Sequence, residues 1–360
     1  MAANHPTLLC FTAVLVSIWT TCSAHYHESY MRNADDDFSS RTNWMSHISG
    51  DVKLSEMAIP GTHLSATYTW NTDVTMTQVL SFKQQLNYGV RFFDIRVKHK
   101  DNTFQLHSGH IFLNLYFSEH FLNSVDLFLK SNPSETVLVL LKKEEPSEDS
   151  SPARTTRGTL EEILHRYSDT YLETNHRGIT LKRARGKFII FSGFHQFDSF
   201  GLKYDDCDIQ DNSHLSTNWD LYNKWESVKN QLENARNGDP DTFYINYLSG
   251  SGGSFPYFVA SGHSSPGTSA PRLATGLTTP GWSDSYPDFP RVSCFIGICT
   301  IAFEGTNTLT YDKIREYNEY PRGSRRTVGI IVADFPGDLL ISTIIRNNDA
   351  IQERLINYTN

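Results

Sequence analysis

The residues best suited to chemistry are His63, Asp94 with Arg96, His107 with His110, and Asp334, each at or near the end of a predicted strand. Two histidines and an arginine can move a phosphoryl group without a metal. One histidine takes the proton of an attacking hydroxyl, the arginine neutralises the phosphate, and the other histidine protonates the departing oxygen. A carboxylate behind each histidine fixes its tautomer and supports its charged form, and Asp94 and Asp334 are the candidates for that part. A lone turn histidine more often bonds a neighbouring carbonyl, and an Asp–Arg pair is often structural. Their recurrence at successive strand ends is what points to a site.

The elements that must position these groups follow from the apolar pattern. Glu56–Ile59 reads as a short strand that Pro60-Gly61 ends sharply, delivering His63 just beyond. Val90–Val97 is a second strand, in which alternation puts Phe92, Asp94 and Arg96 on one face. Phe104–His107 is a third. Unbroken apolar runs at Thr136–Leu141, Lys187–Phe191, Thr242–Tyr247 and Thr327–Asp334 are of the kind found in buried parallel sheets. Helices are predicted at Met76–Tyr88, Ser118–Lys130 with Ser118 as N-cap, Thr159–Tyr167, Leu221–Ala235 and Asp338–Arg354. The alternation predicts an α/β protein, a distorted (β/α) TIM barrel forming a single domain over residues 25–360, with its site at the carboxyl ends of the strands. Residues 249–290, rich in Gly, Ser, Pro and Thr, read as an elaborated surface loop whose Phe255, Tyr257 and Phe258 either meet a membrane or pack beneath it.

A net charge of −8 over 360 residues argues against a nucleic-acid footprint, which would need a basic face. Leu8–Trp19 is too short to span a bilayer, and Cys22-Ser23-Ala24 follows it as a small-x-small cleavage pattern. Residues 1–24 are therefore read as a secretory signal peptide, and the mature protein is expected to be secreted and extracellular. Of the five cysteines, Cys207, Cys294 and Cys299 remain after cleavage. Nearness in sequence favours a Cys294–Cys299 disulfide with Cys207 free. Asn357-Tyr358-Thr359 is an acceptor for N-glycosylation.

At these same residues the sequence resembles the phosphatidylinositol-specific phospholipase C family, X-domain, of the single-domain bacterial type. The matching pieces are Ile59-Pro-Gly-Thr-His63, Gly89-Val-Arg-Phe-Phe-Asp-Ile-Arg96, Leu106-His-Ser-Gly109 and Asn132-Pro-Ser-Glu-Thr-Val-Leu-Val-Leu-Leu-Lys-Lys-Glu144. Ala184-Arg-Gly-Lys187, Tyr244-Ile-Asn246 and Val328–Asp334 follow in order, so the resemblance spans roughly residues 43–355. It implies His63 as general base toward the inositol 2-hydroxyl, oriented by Asp334. Arg96 would hold the phosphate, where calcium sits in metal-dependent relatives, and Asp94 would back the general acid. Lys142 would contact the inositol headgroup, and Trp225 would be the ring that stacks on it. The implied reaction cleaves phosphatidylinositol, or a glycosylphosphatidylinositol anchor, to diacylglycerol and an inositol cyclic phosphate. No metal or other cofactor is implied, and the expected partner is a lipid at a membrane surface, met peripherally by a monomer.

Three positions depart from the family pattern. Ser108 stands where the family has its acid histidine, Leu64 where the bacterial type has Asp after the first histidine, and Gly193 where an arginine lines the inositol pocket. A flanking histidine, His107 before His110, is the expected replacement acid. The alternative is a catalytically impaired relative that binds inositol headgroups or glycans. A barrel phosphodiesterase working through a metal is disfavoured, because Leu64 and Arg96 fall where ligands would be needed.

Overall fold

The computed structural model describes residues 28–31, 38–70, 72–144, 154–263, 274–319 and 327–351. The signal sequence, the Asn357 acceptor and the end of the Asp338–Arg354 helix lie outside the described residues. In chain order the strands are β1 Ile59–Thr62, β2 Phe92–Lys100, β3 Thr103–Ser108, β4 Ile111–Tyr116, β5 Thr136–Lys143, β6 Lys187–Ser192, β7 Gly201–Lys203 and β8 Asp208–Gln210. They continue with β9 His214–Leu215, β10 Tyr244–Tyr247, β11 Ser251–Gly252, β12 Ala274–Thr278, β13 Arg291–Phe295, β14 Ile298–Ala302 and β15 Ile330–Ala333. The α-helices are α1 Phe82–Tyr88, α2 Asn123–Ser131, α3 Thr156–Arg166, α4 Leu181–Ala184, α5 Leu221–Asn237, α6 Pro256–Ser261, α7 Thr306–Glu319 and α8 Asp338–Arg346.

Eight strands form one parallel sheet in the order β7-β6-β5-β2-β1-β15-β10-β8, which is chain order read as a cycle with its seam between β7 and β8. This is the distorted (β/α) barrel that the alternation of elements predicts. Side chains on one face fill the barrel, among them Ile59, Phe92, Leu138, Leu140, Phe191, Ile245, Ile330 and Val332. The other face packs on helices. Phe93, Ile95 and Val139 meet Phe82, Val125 and Leu160, whereas Ile331 and Ala333 meet Leu232, Ile314 and Leu340. A two-sided apolar environment is why these runs read as continuous rather than alternating.

The first strand departs from expectation in an instructive way. Glu56 belongs to a 3-10 turn, Leu54–Glu56, and Pro60 and Gly61 lie inside β1 rather than ending it. Proline costs no ladder bond there, because pairing to β2 begins at Gly61↔Phe92. A Cβ on Gly61 would lie 3.0 Å from the Phe92 ring, so glycine is needed for close approach and not for a turn. The turn comes later, at Leu64, whose φ is 43°.

Other boundaries shift for equally local reasons. The helix expected from Met76 starts at Phe82 behind a Ser81–Gln84 capping box. Ser118 is not an N-cap. It sits in a π-helical turn, Phe117–Leu122, with its hydroxyl 3.2 Å from that of Tyr167. The 249–290 stretch is more than a surface loop. It holds the buried α6, in which Tyr257 and Phe258 pack inward, and β12, which joins β13 and β14 in a separate antiparallel sheet. Cys294–Cys299 is a disulfide and Cys207 is a free thiol.

Below the barrel mouth, Arg91 and Glu135 form a fully buried pair. Glu135 Oε2 accepts from Arg91 Nε at 3.0 Å and Nη2 at 2.9 Å, and the remaining guanidinium donors reach the carbonyls of Arg41, Thr42, Leu86 and Val90. Removing one member of such a pair leaves an uncompensated buried charge. Glu135→Ala is therefore expected to lower the unfolding free energy by about 3–5 kcal/mol in urea melts. Removal of the exposed Glu162, which pairs with Arg154, should cost no more than about 0.5 kcal/mol.

Candidate active site

His63 follows β1 at the carboxyl end of the sheet, on a backbone with no slack. Its N–H donates to Ala333 O at 3.1 Å, and its carbonyl accepts from Gln78 Nε2 at 2.8 Å and Thr77 Oγ1 at 3.0 Å. Its Nδ1 lies 2.8 Å from Asp334 Oδ1. With a carboxylate as acceptor, Nδ1 carries the proton, and Nε2 is left as the basic nitrogen. Nε2 faces Arg96, 3.5 Å from Nη2. Burial raises the Asp334 carboxyl above its ordinary value, while the charge and hydrogen bond of His63 and the charge of Lys224 act against that shift.

Arg96 is held by two carboxylates. Its Nε and Nη2 donate to the two oxygens of Asp94, each at 3.3 Å, and Nη1 donates to Glu144 Oε1 at 2.8 Å. Burial works against the guanidinium charge, but Asp94 and Glu144 outweigh it and keep Arg96 cationic. For Asp94, burial pushes the carboxyl up. The charges of Arg96, Lys142 and His63, with the Arg96 hydrogen bond, pull harder and bring it to about 2. The described bonds of the Asp94 carboxylate thus go to Arg96, and at 3.5 Å to the Tyr247 hydroxyl, rather than to a histidine.

Lys142 projects into the same mouth, with Nζ 4.7 Å from the Tyr204 ring centroid and 5.7 Å from that of Tyr247. The Tyr247 ring also meets His63 edge-on at 5.8 Å. Gly193 lies beside this lysine, and a Cβ there would fall 2.5 Å from Lys142 Cγ, so the side chain missing at Gly193 leaves room for Lys142.

His107 stands differently from His63. The β2–β3 register pairs Lys98 with Gln105 and Val97 with Leu106, and paired residues share a face. Gln105 and His107 therefore share the face of Arg96, whereas Ser108 shares the opposite face with Leu106. His107 Nε2 is 3.4 Å from Gln105 Oε1, and the ring lies against Phe112. His110 is exposed in the turn between β3 and β4.

Trp225 is a correction. It lies on α5 outside the barrel, in the cluster with Val228, Leu232 and Phe258, and its Nε1 donates to Asp288 Oδ2 at 2.8 Å. The helical period turns its neighbour Lys224 toward the barrel instead, and the rings that face the site are Tyr204 and Tyr247. Sequence reasoning missed those two, Glu144 and Lys224. Strand alternation from Lys142 could have found Glu144, and Tyr247 ends a predicted strand, but nothing local marks Tyr204 or Lys224.

Fold and site together define a (β/α)-barrel protein with a His–Asp pair, a carboxylate-held arginine and a ring-flanked lysine at its mouth. Residues 57–193 match the family model described as phosphatidylinositol-specific phospholipase C, X domain. A 1-phosphatidylinositol phosphodiesterase of Staphylococcus aureus (strain NCTC 8325 / PS 47) is 30% identical over 303 residues, covering 75% of this chain and 90% of that protein. The 1-phosphatidylinositol phosphodiesterase of Listeria monocytogenes serovar 1/2a is 36% identical over 165 residues, 42% of this chain and 49% of that protein. The solved structure of phosphatidylinositol-specific phospholipase C from Listeria monocytogenes superposes with a TM-score of 0.62 at 24% identity, over 86% of this chain and 99% of that one. The chain belongs to the phosphatidylinositol-specific phospholipase C family of bacterial type.

The Asp94 shift has a consequence for stability. Its carboxyl falls from 3.8 to about 2 on folding, which is worth about 2 kcal/mol. A depressed carboxyl contributes stability above its unfolded value and loses it as the pH falls through the folded one. Urea melts between about pH 6 and pH 2 should show the unsubstituted protein losing about 2 kcal/mol more than Asp94→Asn over that window. Equal losses would remove the assigned charge environment.

Proposed function

We propose that this protein cleaves phosphatidylinositol to diacylglycerol and an inositol cyclic phosphate by metal-independent acid–base catalysis. The observation that carries the reading is His63, locked through Nδ1 to Asp334 with Nε2 turned toward Arg96. A pure binding protein has no use for a base with its own orienting carboxylate. Family membership and the names of the two phosphodiesterase relatives support the same substrate class.

In this reading the phosphodiester is anchored on Arg96, whose guanidinium is held by Asp94 and Glu144 and needs no reorganisation when charge develops. His63 Nε2 takes the proton of the inositol 2-hydroxyl, whose oxygen attacks phosphorus while the bond to the glycerol oxygen breaks. That oxygen receives its proton from His107, the histidine on the Arg96 face. The product pair is diacylglycerol and a cyclic phosphate. Lys142, held against the buried rings of Tyr204 and Tyr247, meets the inositol hydroxyls. A glycosylphosphatidylinositol presents the same inositol phosphodiester and is the second expected substrate. We read the protein as a secreted monomer, cleaved after Ala24, acting at a membrane surface and carrying glycan at Asn357.

One observation favours the alternative of a headgroup-binding relative. Ser108, in the column of the family's acid, faces away from Arg96, so the leaving-group step depends wholly on His107. Release of inositol cyclic phosphate from phosphatidylinositol vesicles separates the two. His63→Ala is expected to lose at least about 10²–10⁴-fold in kcat, His107→Ala to fall in the same range, and His110→Ala to stay near the unsubstituted rate. EDTA should have no effect. Absence of turnover in the folded, unsubstituted protein would establish the binding reading instead.

A further inference from the structure

Glu28–Met31 lies before residue 43, where the family resemblance begins, yet Ser29, Tyr30 and Met31 are only 0%, 3% and 1% exposed. The segment runs antiparallel to the turn after β15, with Tyr30 paired to Pro336. Met31 N–H donates to Phe335 O, Gly337 N–H to Ser29 O and Leu339 N–H to Glu28 O, each at 2.9 Å. The last two bonds satisfy N–H groups at the amino end of α8, which have no acceptor within the helix. A Cβ at Gly337 would run into Glu28 O, so glycine is needed for this close approach. Ser29 Oγ lies 2.9 Å from Thr308 Oγ1 on α7.

The turn that receives this strap is the one that leaves Asp334, and it is tied to His63 as well. Phe335 N–H donates to Thr77 O at 2.8 Å, and Thr77 Oγ1 donates to His63 O at 3.0 Å. Phe335 O accepts from Met31 N–H and from Asn307 Nδ2 at 3.3 Å, and the same Nδ2 donates to Asp334 O at 2.9 Å. Phe335 has a left-handed backbone at φ 47°, which a non-glycine residue keeps only where its surroundings impose it. Tyr30 packs with Tyr257, Ala260 and Phe335, and this cluster also takes in Met76 and Val79, which flank Thr77 and Gln78. Among the described residues, neither Tyr30 nor Met31 belongs to the three clusters that form the barrel and helix cores. The barrel closes without the strap. What the strap joins is the turn of the carboxylate and the loop of the base.

We propose that Glu28–Met31 is a positioning strap that holds the Asp334 turn against the His63 loop and so keeps the carboxylate on Nδ1 of the base. The inference rests on the reading of His63 as general base. Register sets Asp334 opposite His63, but it does not fix the turn in which the strand ends. The carboxylate orients the ring only while it meets Nδ1. A displacement of about 1 Å there is enough to slow the reaction by as much as about 10²-fold.

The test uses the whole mature protein with Met31→Pro, which deletes the N–H given to Phe335 O, and separately with Tyr30→Ala, which deletes the ring. On short-chain, soluble phosphatidylinositol each is expected to lower kcat about 10–10²-fold, with KM within about twofold. In an Asp334→Ala background there is no carboxylate to hold, and the same substitutions should cost nothing further. A second measurement needs no turnover. The proton between His63 Nδ1 and Asp334 gives a far-downfield NMR resonance, absent from Asp334→Ala, that should be shifted or lost in both strap variants. Equal losses of kcat in the two backgrounds, a change confined to KM, or an unmoved resonance overturns the inference. Unfolding of both variants at the assay temperature also overturns it, and makes the strap a part of the fold alone. A strap-dependent resonance in a protein without turnover would keep the strap as the holder of the pair and remove the catalytic reading.

Discussion

The site depends on the register of β1 between its two neighbours. Thr62 lies opposite Ala333 on one side and Phe93 on the other, so one step further His63 falls between Asp334 and Asp94. Alternation then sets a vertical order inside the barrel. Ile330 and Val332 lie below Asp334, Phe92 below Asp94 and Arg96, and Leu138 and Leu140 below Lys142. A slip of one residue would turn His63 toward the helices and bring the outer apolar set inward, so burial of both faces enforces the register. Gly61 contributes by letting Phe92 close against β1.

Above that apolar plug, the mouth is a set of charges that neutralise one another. Burial penalises the charges of Asp94, Arg96 and Asp334, and a partner within bonding distance of each offsets it. Asp94 and Glu144 hold Arg96, His63 holds Asp334, and Lys142 lies against two rings. Lys224 adds a buried amine from outside the sheet. Its Nζ donates to Tyr247 O at 2.7 Å and Gln210 Oε1 at 3.2 Å, and burial pushes it down to about 7. A phosphodiester entering this mouth meets preorganised donors rather than water.

The seam between β7 and β8 is part of the same design. The turn Tyr204–Asp206 occupies it, and this is how the Tyr204 ring reaches Lys142 from a segment that belongs to no barrel strand. The connection after β10 extends the barrel differently, adding a small antiparallel sheet whose base shares the core of α5–α8.

The sequence by itself determined the barrel, because apolar runs long enough for buried strands recur between amphipathic segments. It also placed His63, Asp94, Arg96 and Asp334 at or near strand ends, because period-two alternation and turn residues are local signals, whereas Lys142 came from the family resemblance alone. The Cys294–Cys299 pairing was legible for the same reason. Pro60-Gly61 misled, since the same dipeptide serves a turn or a close strand contact, and only Phe92 across the sheet decides which. Trp225 misled because a helix face has no meaning until its neighbours are known. Only the tertiary structure decided that Asp94 serves Arg96, that His107 rather than Ser108 shares the arginine's face, and that Tyr204, Tyr247, Glu144 and Lys224 complete the mouth. Those are contacts between segments far apart in the chain, fixed by strand register and burial, and no local pattern encodes them.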